Sequence, residues 1–480
     1  MQNSLIYSVG NFLTRGIGFF LIPIYTRYLS TAEYGLVDFF IMLGSIISFT
    51  IALEINQAVV RFYQDASTQK DKMEYVSTAF SFTVFVYVIY FGLSWIFSDF
   101  LTVFFLYDIS YRNIFLLASL AIATNGLFYF TSAQLRWQIL PKHSVVVSVT
   151  HVAFFASIAC YLLMVKNLKV ESIFIGQIGA NVISTLLSIY WSKNSYQFIF
   201  VYKKFVELVS FSYPLVFSSV SIFVSLFIDR ILIKEILGLG DLGVYAVAIR
   251  FASISSIILF AFQSSLSPLI YKSYKSQDTP RDIAKLFNIF CIFTITVICA
   301  SFLFSKELVM LMTTPAYHEA ASVLPQLIVG FFFAGMYVFF PGLAIEKKMS
   351  LVAYISIFGA LMNALLNLTL IPVFGLMGAS LATMLSSIIA FGVQAHVSQK
   401  YYFIEASLAK KALMFSLCVS GAVLFGMYLN TVNLINSIIK FMFVMFVFFS
   451  LLYFLLDEEY FKKLEGLWLS KKKMISKIDT

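Results

Sequence analysis

Seven ionisable side chains stand inside otherwise apolar stretches of this 480-residue chain: Arg15, Asp38, Glu54, Asp229, Arg230, Arg250 and Lys440. The amides Asn125, Gln177, Asn181, Gln263, Asn363, Asn367 and Gln394 and the imidazole of His151 join them. A charge in hydrocarbon is costly and faces a protein interior or a wet cavity. Arginine cannot shed its proton. Arg15, with no acid in its own stretch, therefore needs a partner, water or an anionic ligand. Asp38, Glu54 and Asp229 are the carboxylates within apolar stretches away from their basic ends, which makes them candidates for binding a coupling proton or sodium ion. Structural roles compete with these. Asp229 and Arg230 lie near a helix end and could clamp one helix to another; Glu54 could reach Arg61 along one helix face; Lys440 can snorkel to the interface.

Catalytic signatures are missing. No Gly-Lys dipeptide occurs, so the phosphate-cradling G-x-x-x-x-G-K-[ST] loop is excluded. His318-Glu319 is followed by Ala-Ala-Ser, not by a second histidine at zinc-binding spacing, and there is no G-x-S-x-G and no Asp-x-Asp. The loops are short. The expectation is a protein that is not an enzyme and needs no cofactor or metal.

The elements that must position the buried charges are membrane spans. Hydrophobic residues make up 60% and charged ones 12%, about half the charged share of a soluble protein. Apolar runs of about 20 residues predict about 14 spans, near 5–28, 36–60, 74–98, 113–135, 144–165, 171–192, 208–235, 244–268, 284–304, 322–345, 350–372, 376–398, 408–429 and 433–456. The first run is too long for the core of a signal peptide and has no small-residue cleavage site, so it reads as a span. The four cysteines lie inside apolar runs without C-x-x-C spacing and read as buried free thiols. Lysine and arginine fall 23 to six on alternate sides of this map. Basic loops stay cytoplasmic, which puts both termini in the cytoplasm of a multi-pass inner-membrane protein. Trp95, Trp137 and Trp191 fall at span ends, where indole rings favour the headgroup level. In the tail, Tyr460, Leu464, Leu467 and Trp468 share a helical face among lysines, as in a helix lying on anionic membrane lipids; a solvated basic tail is the plainer alternative.

The chain also repeats itself, with a period of about 208 residues. YLSTAEYGLVDFF, from Tyr28 to Phe40, aligns with ILGLGDLGVYAVA, from Ile236 to Ala248. Leu29 falls on Leu237, Glu33 on Asp241 and Gly35 on Gly243. Six spans per copy is an even number, so both copies enter the membrane from the same side. The expected organisation is all-α: an N-lobe over 1–198, a cytoplasmic linker over 199–207, a C-lobe over 208–400, two appended spans over 401–456 and a basic tail over 457–480.

Three stretches carry a resemblance. Thr26-Arg27-Tyr28-Leu29-Ser30-Thr31-Ala32-Glu33-Tyr34-Gly35 resembles the first-loop signature of Wzx-type polysaccharide flippases. Asp229-Arg230-Ile231-Leu232, continuing to Gly238, Gly243, Tyr245 and Arg250, resembles their mid-chain signature. Asn363, Asn367, Pro372, Gly375, Gly378, Ala379 and Thr383 are similar to their late motif. The resemblance implies the multidrug/oligosaccharidyl-lipid/polysaccharide exporter fold, with two six-helix lobes. It implies a substrate too: an undecaprenyl-pyrophosphate-linked O-antigen or capsule repeat unit, moved from the cytoplasmic to the periplasmic leaflet. On that reading Arg15, Arg230 and Arg250 would hold pyrophosphate, since guanidinium forks match phosphate oxygens. Asn125, Asn181, Asn363 and Asn367 would meet sugar, and the polyprenyl tail would stay in lipid. A polysaccharide polymerase and a chain-length regulator are the protein partners such a role calls for; nucleic acid is not.

Two closer alternatives share the fold, a MATE-type cation–drug antiporter and a lipid II-type flippase. The buried arginines and carboxylates balance in number and do not decide between an anionic and a cationic ligand. A membrane glycosyltransferase or polymerase is a more distant reading, disfavoured by the lack of a large outer loop.

Overall fold

A computed structural model describes residue 16, residues 18–429 and residues 431–455. Arg15 and the basic tail with Trp468 lie outside the described residues. The helices, in chain order, are α1 (Ile22–Tyr28), α2 (Thr31–Ile51), α3 (Ile55–Asp65), α4 (Gln69–Ile96), α5 (Ser98–Leu106), α6 (Arg112–Trp137), α7 (Pro141–Met164), α8 (Val170–Ser192) and α9 (Tyr202–Ile236). There follow α10 (Leu239–Ala252), α11 (Ile254–Ser273), α12 (Thr279–Met312), α13 (Ala320–Gly335), α14 (Gly342–Ile345), α15 (Met349–Gln399), α16 (Leu408–Tyr428) and α17 (Leu434–Leu455). Among the described residues, ten helical segments are long and apolar enough to cross a membrane. Two compact units form. The first draws on the chain up to Arg250 with Met312–Tyr317 and Asn367–Ala379; the second contains Phe251–Leu311, His318–Leu366 and the chain from Ser380.

The predicted spans three to seven, nine, thirteen and fourteen each become one helix. Others are broken in ways that hydropathy does not register. Span two is α2 and α3, separated by Leu53 and Glu54 in left-handed conformation, with φ of 50° and 51°. Span eight passes from α10 to α11 through Ser253, whose backbone stays right-handed helical at φ −62° and ψ −17°, and span ten passes from α13 through a 3-10 turn, Met336–Phe339, to α14. Spans eleven and twelve are the two legs of α15, 51 residues that break at Gly375, where φ is 57° and ψ −135°. Only glycine adopts that geometry readily. Each leg of about 25 residues is near 37 Å long, enough for one bilayer crossing.

Local chemistry fixes the ends. Ser30 and Glu33 form a reciprocal capping box on α2, with Ser30 N donating to Glu33 Oε2 at 2.8 Å and Glu33 N to Ser30 Oγ at 3.3 Å. Thr68 Oγ1 accepts from Asp71 N at 3.1 Å on α4. On α8, Gly176, Ala180, Ser184, Ser188 and Ser192 recur every fourth residue and are buried, so neighbouring backbones can approach closely where lipid gives no hydrophobic drive between helices. Ile55, Val59, Val76, Phe130, Trp137 and Leu208 form a core joining α3, α4, α6 and α9. Trp137 was expected at the headgroup level. Instead it is 8% exposed, its ring edge-on to Phe130 at 5.6 Å, because the end of α6 is enclosed by other helices. Trp95, 61% exposed, fits the interfacial reading.

Candidate functional site

The capping box sets the register of α2, so that Tyr34 and Asp38, one turn apart, point into the interior of the first unit; both are buried. Arg230, from α9, brings Nη1 to 3.6 Å from Asp38 Oδ2, and its guanidinium lies over the Phe227 ring at 4.7 Å. At that separation the two groups attract without a formed hydrogen bond. Asp38 Oδ2 and Arg230 Nε are both buried and lack a hydrogen-bond partner. Asp229 is held more firmly: Oδ2 accepts from Tyr245 Oη at 2.8 Å, and Oδ1 from the Arg230 backbone N at 2.8 Å. Arg250 ends the picture, its guanidinium over the Tyr34 ring at 5.4 Å and its charge acting on Tyr34, Asp38 and Tyr25. Thus two predicted anion ligands, Arg230 and Arg250, and two predicted ion-coupling groups, Asp38 and Asp229, form one cluster. Tyr34 and Tyr245 complete it; both stand in the family-like stretches, which was the available signal for them.

A cavity of about 350 Å³ lies in the same unit between α2, α6 and α8. Its wall combines Asn125, Gln177, Ser45 and Ser48 with the rings of Phe40, Tyr129 and Phe174. Hydrogen-bonding amides among aromatic faces can take a polyhydroxylated ring. Glu54 is buried at the break after α2, accepts from Ser219 Oγ at 2.6 Å and acts electrostatically on Tyr129. It does not reach Arg61, which pairs with Asp65 at 3.7 Å, because the break turns α3 away from the line of α2.

The other amides are placed apart. Asn181 is fully buried and engaged: Oδ1 lies 2.9 Å from His151 Nε2, and Nδ2 donates to Thr124 Oγ1 at 3.2 Å and Ala121 O at 3.3 Å. Asn363 Nδ2 donates to Ser386 Oγ at 3.1 Å in the second unit, and Asn367 is buried in the first. Lys440 does not snorkel; it is 2% exposed and ion-paired with Glu307. Among the described residues, no group of three or more His, Cys, Asp or Glu side chains could hold a metal ion.

These features define a polytopic, all-helical membrane protein. Over 93% of this chain and 98% of the other, the structure superimposes on the lipid II flippase MurJ in its inward closed conformation, with a TM-score of 0.72 at 17% identity. An inward-facing multidrug-resistance MATE transporter matches 82% of the chain and 94% of its own, with a TM-score of 0.63 at 13% identity. Residues 1–274 match the family of polysaccharide biosynthesis proteins, and residues 214–369 the MatE family. The chain belongs to the polysaccharide biosynthesis protein family. An uncharacterized membrane protein of Haemophilus influenzae is 24% identical over 283 residues, 57% of this chain and 66% of that relative, just under two thirds of its length.

Proposed function

We propose that the protein flips an undecaprenyl-pyrophosphate-linked oligosaccharide, an O-antigen or capsule repeat unit, from the cytoplasmic to the periplasmic leaflet by alternating access of two six-helix lobes. The carrying observation is the underused cation in the first unit. Arg230 faces Asp38 at 3.6 Å with Nε unbonded, so it can trade a loose intramolecular contact for charge-assisted bonds to phosphate. Family membership and the amide-and-aromatic cavity supply the glycan side. The lysine-rich face would be cytoplasmic. The balanced charges Asp38, Asp229, Arg230 and Arg250, together with the MatE match, support one second reading, a cation–drug antiporter.

Reconstitution separates the two. Proteoliposomes loaded with a fluorescent undecaprenyl-pyrophosphate-linked glycan should expose it to an external glycosidase, and a lipophilic drug cation should not compete. Drug-cation exchange without glycan exposure would establish the second reading.

A further inference from the structure

The second unit encloses a cavity of about 400 Å³ between α12, α13, the second leg of α15 and α16. The rings of Phe287, Phe333, Phe391 and Phe415 and the side chains of Ile295 and Ile388 make most of its wall. Lys411 supplies a cation there, with His396 and Gln399 nearby. Lys411 is 7% exposed, yet among the described residues no carboxylate lies within ion-pair distance of it. Its Nζ donates to the Ala406 carbonyl and lies 5.2 Å from the centre of the Phe287 ring. An ammonium has three donors, and a buried cation without an anion is unfavourable.

Two further features mark the same place. First, α16 starts without a side-chain cap, because Ser407 adopts a left-handed φ of 44° and makes no capping bond. The first turn also carries Lys410 and Lys411, the wrong sign for the positive end of a helix dipole. An anion there would meet the N–H groups of the first turn and Lys411; Lys410 Nζ already donates to the Phe454 carbonyl at 3.1 Å. Second, Thr294 lines the cavity and is 1% exposed, and its Oγ1 has no hydrogen-bond partner.

A soluble anion would not need four phenylalanines, and an apolar ligand would not need Lys411. We propose that the cavity binds an anionic phospholipid of the surrounding bilayer. Its phosphate would sit at Lys411 and the start of α16, with part of one acyl chain among the phenylalanines. The cavity's size falls within the small-ligand range of about 300–1,000 Å³. Lys400 and Lys410 flank the site at the lysine-rich membrane face, the face that anionic headgroups attract. This lipid is a ligand of the second unit and not the transported substrate, so the inference stands apart from the transport proposal.

The test uses the full chain, delipidated in detergent and titrated with phosphatidylglycerol, phosphatidylcholine or inorganic phosphate. Retained lipid is read by native mass spectrometry and stabilisation by thermal unfolding. Phosphatidylglycerol should bind and raise the melting temperature more than phosphatidylcholine does. Lys411→Met, of similar length and apolar, should weaken that binding about tenfold. Ala412→Phe, which fills the cavity with Lys411 intact, should give the same loss and decides the matter if the first variant folds poorly. Equal stabilisation by the two lipids would overturn the proposal, as would unchanged phosphatidylglycerol binding in Ala412→Phe. Inorganic phosphate alone matching phosphatidylglycerol would show an anion site with no lipid.

Discussion

Gly35 and Gly243 pack backbone against backbone, with their environments exchanged. A methyl group on Gly35 would fall on the Leu239 carbonyl oxygen and 2.9 Å from Gly243 N; one on Gly243 would fall on the Thr31 carbonyl oxygen and 2.9 Å from Gly35 N. The repeat in the sequence pairs Gly35 with Gly243 and Thr31 with Leu239, so equivalent residues of α2 and α10 meet symmetrically. Small residues let membrane helices cross this closely, with Cα–H groups near carbonyls.

That crossing can be locked. The Thr31 hydroxyl lies 3.5 Å from where a Cβ on Gly240 would be, close enough for a disulfide. The pair Thr31→Cys, Gly240→Cys should cross-link on oxidation and stop transport until reduced. Gly35→Ala should lower thermal stability by about 1–3 kcal/mol, since its methyl meets backbone. A cross-linked protein that transports at the normal rate would show that α2 and α10 need not part.

The Arg230–Asp38 pair predicts an asymmetric mutational response. Their side chains are 14% and 8% exposed. Arg230→Ala leaves a buried carboxylate uncompensated and should cost about 3–5 kcal/mol, seen as lost abundance and a lower melting temperature. Arg230→Gln with Asp38→Asn removes both charges and should restore abundance. If it also restores transport, neither charge contacts the substrate.

Glu54 separates backbone geometry from charge. A left-handed residue other than glycine costs roughly 1–2 kcal/mol, and asparagine tolerates the conformation better. Glu54→Asn should therefore keep abundance at or above the native level while removing the carboxylate bound by Ser219. In vesicles with an imposed proton or sodium gradient, this variant should lose the gradient's stimulation and keep the basal rate. Undiminished stimulation would take Glu54 out of coupling.

How far the sequence foretold this site depended on whether each signal was local. The α15 turn at Gly375 was legible, falling between the predicted spans 350–372 and 376–398; the repeat aligned Gly35 with Gly243 but did not foretell that they touch. The α2 break at Leu53 and Glu54 was not legible, since neither residue marks a left-handed turn and the surrounding hydropathy continues through it. The Asp38–Arg230 pairing joins residues far apart in the chain through helix rotation, which apolar periodicity constrains poorly when every face is hydrophobic. Asn181 could not be assigned in advance for the same reason; only the neighbouring helices show that His151, Thr124 and Ala121 occupy it.

Arg250 gives the sharpest discrimination between a ligand and a strut. It stands near the end of α10, three residues before Ser253, with its guanidinium over the Tyr34 ring. A planar fork can bind two phosphate oxygens while a face stacks on the ring, whereas lysine offers a point charge. Arg250→Ala should therefore lower reconstituted flipping roughly a hundredfold, the loss of one or two charge-assisted bonds, with protein abundance unchanged. Arg250→Lys should recover part of the rate. Arg15→Ala should behave alike if the two arginines share one pyrophosphate, and the double variant should then be no worse than the poorer single one. Reduced abundance in Arg250→Ala, rescued by Asp38→Asn, would make Arg250 a structural partner. Normal surface polysaccharide in a well-expressed Arg15→Ala, Arg250→Ala protein would remove arginine clamping from the mechanism.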